Sequence, residues 1–242
     1  MAKSKVHLPT GSGLGQRPTA WPVTPAQKTA VGILTLVGII LIAGLSILAR
    51  GTPYFPFELT LSLAVQKLAS PALDTLAMIV DWAGYVPQMP IITVVAGALL
   101  FALGARWEGV VTVLALLAEA AIDGTIKLLV RRPRPEAAGL HIYHAHGDFT
   151  YPSGHVFSYV MVFGVLAYLC WVLVRSPALR AALLLVLVGL PLLVGPVRIY
   201  LGEHWAIDVL AGYLLGGLGL FWMIWLYGWG KPRFFVRKKS GP

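Results

Sequence analysis

Five runs of 17 to 24 residues carry no charged side chain: Thr29–Ala49, Trp82–Ala105, Val156–Val174, Ala181–Val197 and Val209–Gly230. A helix rises about 1.5 Å per residue, so roughly 20 apolar residues cross the ~30 Å hydrocarbon core of a bilayer. Lipid offers no partner to backbone N–H and C=O groups, and a helix satisfies them within its own segment. A further apolar stretch, Trp107–Val130, carries Glu119, Asp123 and Lys127. Its flanks, length and apolar content match a span, so its charges call for a polar role inside the bundle. The predicted fold is therefore all-α, an integral membrane bundle of six transmembrane helices. Composition agrees: 57% of the 242 residues are hydrophobic and 12% charged. Soluble domains run at about 45–50% and about 25%. A single cysteine, Cys170, excludes an internal disulfide and a Cys-rich metal site, and reads as core filler.

Between the first and second spans, Phe57–Ala69 mixes apolar residues with Glu58, Gln66 and Lys67, and Ser70-Pro71 reads as a helix start with an N-cap Ser and Pro at N1. Two short surface helices are expected there. The organisation is a basic N-terminal tail (1–28), a six-span domain (29–230) and a basic C-terminal tail (231–242). The first run is longer than a signal-peptide core and follows a polar tail, so no cleaved leader is expected. Six spans put 12 basic residues, including both tails, on one side and 7 on the other. The richer side is read as cytoplasmic, with both termini inside. The net charge of +9 is then mostly an orienting signal, and no nucleic-acid partner is needed to explain it. Trp107, Trp205, Trp222, Trp225 and Trp229 are read as an interfacial aromatic belt.

Three segments at the predicted outer helix ends carry chemistry: Lys127 to Arg134-Pro135, Tyr151-Pro-Ser-Gly-His155, and Arg198 to Asp208. Lys127, Arg134 and Arg198 are cations suited to phosphate. Ser153-Gly154 precedes a helix, whose backbone N–H groups can face an anion. His204 and Asp208 stand at i and i+4, on one helical face. The carboxylate can accept from one imidazole nitrogen and leave the other as a nucleophile or base. His155 is a second titratable group, placed to protonate a leaving alkoxide. Two histidines beside an anion pocket point to phosphoryl transfer through a phosphohistidine. No clustered carboxylates of the kind Mg²⁺ needs are evident, and no cofactor is called for.

At these residues the sequence resembles the type 2 phosphatidic acid phosphatase superfamily, the lipid phosphate phosphatases. The family pattern is K-x6-R-P, then P-S-G-H, then S-R-x5-H-x3-D. Lys127 with Arg134-Pro135, Pro152 to His155, and Arg198 with His204 and Asp208 match it, with Val197 standing where the family carries Ser. The resemblance implies that His204 attacks phosphorus, Asp208 orients it and His155 protonates the leaving group. It implies that Lys127, Arg134, Arg198, Ser153 and Gly154 bind the phosphoryl oxygens without a metal. The implied activity is hydrolysis of a lipid phosphate or diphosphate: phosphatidate, phosphatidylglycerophosphate, or an isoprenoid diphosphate such as undecaprenyl diphosphate. The charge asymmetry puts the site on the extracytoplasmic face, and the compact loops with no added domain point to a bacterial-type enzyme of the inner membrane.

Alternatives remain at this stage. A six-span protein with intramembrane charges could be a transporter or flippase, and a phosphotransferase would pass the group to an acceptor other than water. Arg131 and Arg132 either grip a lipid headgroup or meet outer-leaflet phosphates, the second reading being preferred. Asp123 either pairs with Lys127 or faces a polar interior together with Glu119. His141, His144 and His146 have zinc-like spacing but read as a solvated loop.

Overall fold

The computed structural model describes residues 25–136, 139–144 and 147–234, and every regular element among them is helical. In chain order these are α1 (Pro25–Gly51), α2 (Pro56–Gln66), α3 (Pro71–Trp82), α4 (Gln88–Ala102) and α5 (Arg106–Val130). Then α6 (Gly154–Ser158) runs through a π-helical stretch (Tyr159–Phe163) into α7 (Gly164–Leu173), followed by α8 (Pro177–Tyr200) and α9 (Ala206–Phe234).

Among the described residues four segments are long and apolar enough to cross a membrane, Lys28–Gly51, Gly154–Leu173, Pro177–Tyr200 and Ala206–Pro232, and the bent pair α2–α3 makes a fifth if it counts as one span. The side chains of α1 and α8 that face away from the bundle are apolar and exposed, among them Leu34, Ile40, Leu185 and Leu192. Unpartnered apolar faces on helices of this length are lipid-facing. At the centre lies Gly154–Leu173, with 61% of its most apolar stretch buried against 0% for α1. It packs on α5, α8 and α9 around Phe157, Met161, Val165 and Leu169.

Of the two other predicted spans, Trp107–Val130 forms one helix, α5, at almost the predicted bounds. The run Trp82–Ala105 is broken, because α3 extends to Trp82 and a turn over residues 83–87 precedes α4. Gly84 and Pro87 in that turn punctuate an otherwise apolar stretch. The 15 residues of α4 rise only about 22 Å. It packs tightly against α5: a Cβ on Gly109 would lie 2.5 Å from the Gly97 carbonyl oxygen. The predicted start of α3 holds, with Ser70 accepting from the Leu73 amide at 3.3 Å and Pro71 at N1. The two short helices meet at 119°. They are not simply superficial, since Glu58, Ser62, Ala77, Val80 and Asp81 are buried.

Inside α8, Pro196 has no N–H for the Leu192 carbonyl. The Tyr213 hydroxyl of α9 supplies the missing donor at 3.2 Å and also reaches the Pro191 carbonyl at 2.9 Å. The aromatic belt needs correction. Trp222, Trp225 and Trp229 are partly exposed and lean on one another along α9. Trp205 is 1% exposed and stacks on Tyr54, and Trp107 is buried and donates to the Tyr227 carbonyl. These two rings fill the bundle, because loops and helices that a linear reading cannot place close over them. Cys170 is buried, as expected. At the end of α9, Lys231 lies within the helix and pairs with buried Glu108, so the predicted tail boundary falls inside an ordered element.

Candidate active site

The three segments meet at one end of the bundle. The end of α5 supplies Lys127, and the stretch after it Arg132 and Arg134. The residues around the start of α6 supply Thr150, Ser153, Gly154 and His155. The α8–α9 connection supplies Arg198, Glu203, His204 and Asp208. Cross-links hold them in register: the Ser153 amide donates to the Asp208 carbonyl at 3.0 Å, and the Thr150 amide to the Arg132 carbonyl at 3.0 Å.

His204 is buried. Arg134 Nη1 lies 3.1 Å from its Nε2 and also donates to the Glu203 carbonyl at 2.9 Å. A guanidinium only donates, so Nε2 is the acceptor and, in the neutral ring, Nδ1 carries the proton. Nδ1 is 3.0 Å from the Thr150 hydroxyl, which donates to Asp208 Oδ2 at 2.8 Å. The direct Nδ1–Asp208 separation is 3.8 Å, too long for a hydrogen bond. The predicted His–Asp couple is therefore a relay through Thr150. Asp208 Oδ2 is already taken up in part by the Trp205 amide at 2.9 Å. Burial, reinforced by the positive charges of Arg198, Arg134 and Lys127, holds the His204 imidazole well below its ordinary pKa. It stays neutral at neutral pH, with a lone pair beside a phosphate-type cation.

Behind Asp208 stands a group that linear reasoning misassigned. Arg132 is 0% exposed and does not face the lipid surface. Its Nη1 meets Asp208 Oδ1 at 2.6 Å, its Nη2 meets Glu58 Oε2 at 2.6 Å, and its Nε donates to the Pro53 carbonyl at 3.1 Å. Glu58 also accepts from the Ile207 amide at 3.0 Å and the Phe55 amide at 2.8 Å. One lone acid in a largely apolar stretch thus ties α2 to the start of α9. An acid in such a stretch was the available signal.

On the opposite side, Arg198 is buried between Asp81 (2.8 Å) and Glu203 (2.5 Å). Its Nε and the buried Ser153 Oγ have no hydrogen-bond partner among the described residues. Buried donors are rarely left so, and both belong to the set predicted to bind phosphoryl oxygens. His155 Nε2 lies 3.6 Å from Asp81 Oδ1. Lys127 pairs with Asp123 at 3.1 Å, so the pairing reading of Asp123 is the one observed.

Asp148 lies between two of the predicted phosphate-binding cations, 3.0 Å from Lys127 and 2.5 Å from Arg134. Partial burial works to raise its pKa, but those two charges prevail and hold it below the ordinary carboxylate range. His144 is not merely solvated: its Nδ1 lies 3.0 Å from Glu203, at a cleft also lined by Arg134, Pro135 and Gly202. His146 falls outside the described residues. Two carboxylates and an imidazole, Asp81, Glu203 and His144, offer ligand atoms within 4.8 Å of one another. The Arg198 guanidinium already bonds both acids, so a cation there would compete with it.

The sequence model of the PAP2 superfamily matches residues 108–232. Phosphatidylglycerophosphatase B of Bacillus subtilis (strain 168) is 31% identical over 137 residues, which is 56% of this chain and 65% of the relative. The match thus spans slightly less than two thirds of that relative's length. The crystal structure of a transmembrane PAP2-type phosphatidylglycerolphosphate phosphatase from Bacillus subtilis superposes with a TM-score of 0.66 at 23% identity, over 86% of this chain and 98% of that one. LpxE of Aquifex aeolicus superposes with a TM-score of 0.56 at 21% identity, over 70% and 96%. At these identities the two structures establish the fold.

Proposed function

The chain belongs to the PAP2 superfamily, and from that premise we propose that it is a membrane lipid phosphatase working through a phosphohistidine on His204. The observation that carries the reading is the 3.1 Å approach of Arg134 Nη1 to His204 Nε2, with Nδ1 engaged by Thr150 on the far side. A phosphoryl oxygen bound by Arg134 brings phosphorus within reach of the one ring nitrogen that holds a lone pair. Arg198, Lys127, Ser153 and the Gly154 amide complete the anion site. In the first step the P–N bond to His204 forms as the P–O bond to the lipid breaks, and His155 gives its proton to the departing oxygen. In the second, water attacks phosphorus, the P–N bond breaks, and His155 takes the proton back. Asp208, through Thr150, steadies the positive charge that the ring acquires. The arrangement needs no metal ion.

The substrate is a lipid mono- or diphosphate: phosphatidate, phosphatidylglycerophosphate or an isoprenoid diphosphate such as undecaprenyl diphosphate. The name of the Bacillus relative favours phosphatidylglycerophosphate. The excess of basic residues on the side of both tails supports termini in the cytoplasm and a site at the outer face of a bacterial inner membrane. The test is phosphate release by purified protein in detergent over that substrate panel. Wild type should release phosphate, and orthovanadate should inhibit it. His204→Ala should lower kcat by at least about a thousandfold. A His204→Ala protein that still turns over at the wild-type rate would refute the mechanism. Lipid binding without phosphate release would point to a transporter instead.

A further inference from the structure

We propose that the end of α3 and the turn after it position His155 for proton donation, with Asp81 and Gly84 as the positioning residues. This rests on the reading of His155 as the acid for the leaving group. The Asp81 carboxylate is buried and takes Arg198 Nη1 on both oxygens, at 2.8 and 2.9 Å. Its Oδ1 stands 3.6 Å from His155 Nε2. That separation exceeds hydrogen-bond length, so the carboxylate acts on the ring by its charge and not through a direct hydrogen bond to Nε2. Gly84 lies directly against the ring: a Cβ there would fall 2.2 Å from His155 Cδ2 and 2.9 Å from Nε2. Tyr85 closes the wall edge-on, 4.7 Å between ring centroids, with its hydroxyl 3.4 Å from Glu203. One short turn therefore fixes the ring through contact and charge, while the same carboxylate anchors Arg198. The Asp-Trp-Ala-Gly-Tyr stretch that does this, residues 81–85, lies outside all three motif segments.

The test compares two substrates with the same phosphoryl group and different leaving groups: short-chain phosphatidate, whose alkoxide must be protonated, and p-nitrophenyl phosphate, whose phenolate leaves without help. The readout is the ratio of their kcat/KM values. Any effect through Arg198 or through general loosening strikes both substrates and cancels in the ratio. His155→Ala should depress the ratio about a hundredfold. Gly84→Ala and Asp81→Asn should each depress it about tenfold, with Asp81→Glu recovering part of the loss. If His155→Ala lowers the ratio but Gly84→Ala and Asp81→Asn leave it at the wild-type value, the positioning role is overturned and the acid role of His155 stands. If His155→Ala itself leaves the ratio unchanged, the acid role fails and this inference fails with it.

Discussion

The two histidines of the site are backed by different kinds of ion cluster. Behind His204, the Glu58–Arg132–Asp208 group is closed. Arg132 spends its guanidinium on two buried carboxylates and backbone carbonyls, and Glu58 is saturated by two backbone amides as well. Beside His155, the Asp81–Arg198–Glu203 group is open, since Arg198 Nε has no partner among the described residues and Asp81 stops 3.6 Å short of the imidazole. A closed cluster fixes geometry and offers nothing to a ligand. An open one keeps a donor and a charge for the reaction. Arginine count alone would have assigned Arg132 and Arg198 the same role, and their surroundings separate them.

The largest effect that could break this contrast is on stability. Arg132→Gln leaves Glu58 and Asp208 as uncompensated buried charges, which costs about 3–5 kcal/mol. Thermal unfolding in detergent should show that loss, and a melting curve like wild type would mean the cluster is not closed in solution. Next comes the relay: Thr150→Val removes both hydrogen bonds to His204 and Asp208 and should lower kcat roughly 10–100-fold, by analogy with other supporting-shell losses. Thr150→Ser should restore most of it, and equal losses in both variants would remove Thr150 from the relay.

A smaller effect is expected at Asp148, whose carboxylate lies between Lys127 and Arg134 where a phosphoryl group is proposed to bind. Asp148→Asn should tighten orthovanadate inhibition a few-fold, corresponding to about 1 kcal/mol for a half-exposed charge. Weaker inhibition would make Asp148 a support for the cations and not a competitor. The smallest signal sharpens the His204 side. Because its pKa is lowered by burial and then by Arg198, Arg134 and Lys127, the neutral ring persists on acidification and is lost only as pH falls through the lowered value. Arg134→Leu removes one of those charges, so the His204 resonance followed by NMR should titrate at higher pH than in wild type. A shift to lower pH would show that Arg134 does not face the ring.

The linear sequence fared best where its reasoning was local. Ser70-Pro71 does start a helix, because an N-cap hydroxyl and a fixed proline φ act within one turn. Four of the five long uncharged runs did become buried or lipid-facing helices, since backbone satisfaction in lipid permits little else. The i,i+4 spacing brought Asp208 near His204 but could not show that Thr150, 54 positions before His204 in the chain, would stand between them. Arg132 read as a surface charge because its neighbours in sequence are Arg131 and Arg134, while its partners lie 74 and 76 residues away.

What the sequence by itself determined is the material: an all-helical membrane chain with three ordered clusters of phosphate-type chemistry. Periodicity, capping and apolar length are short-range properties, and they survive any arrangement of the helices. Only the tertiary structure decided which charges cancel and which stay available. That depends on approaches of a few ångströms between residues far apart in the chain, as when Asp81 meets Arg198 and His155, or Glu58 meets Arg132. Electrostatic roles in a buried site are set by such distances and by the loss of water around them, and neither is written in the order of residues.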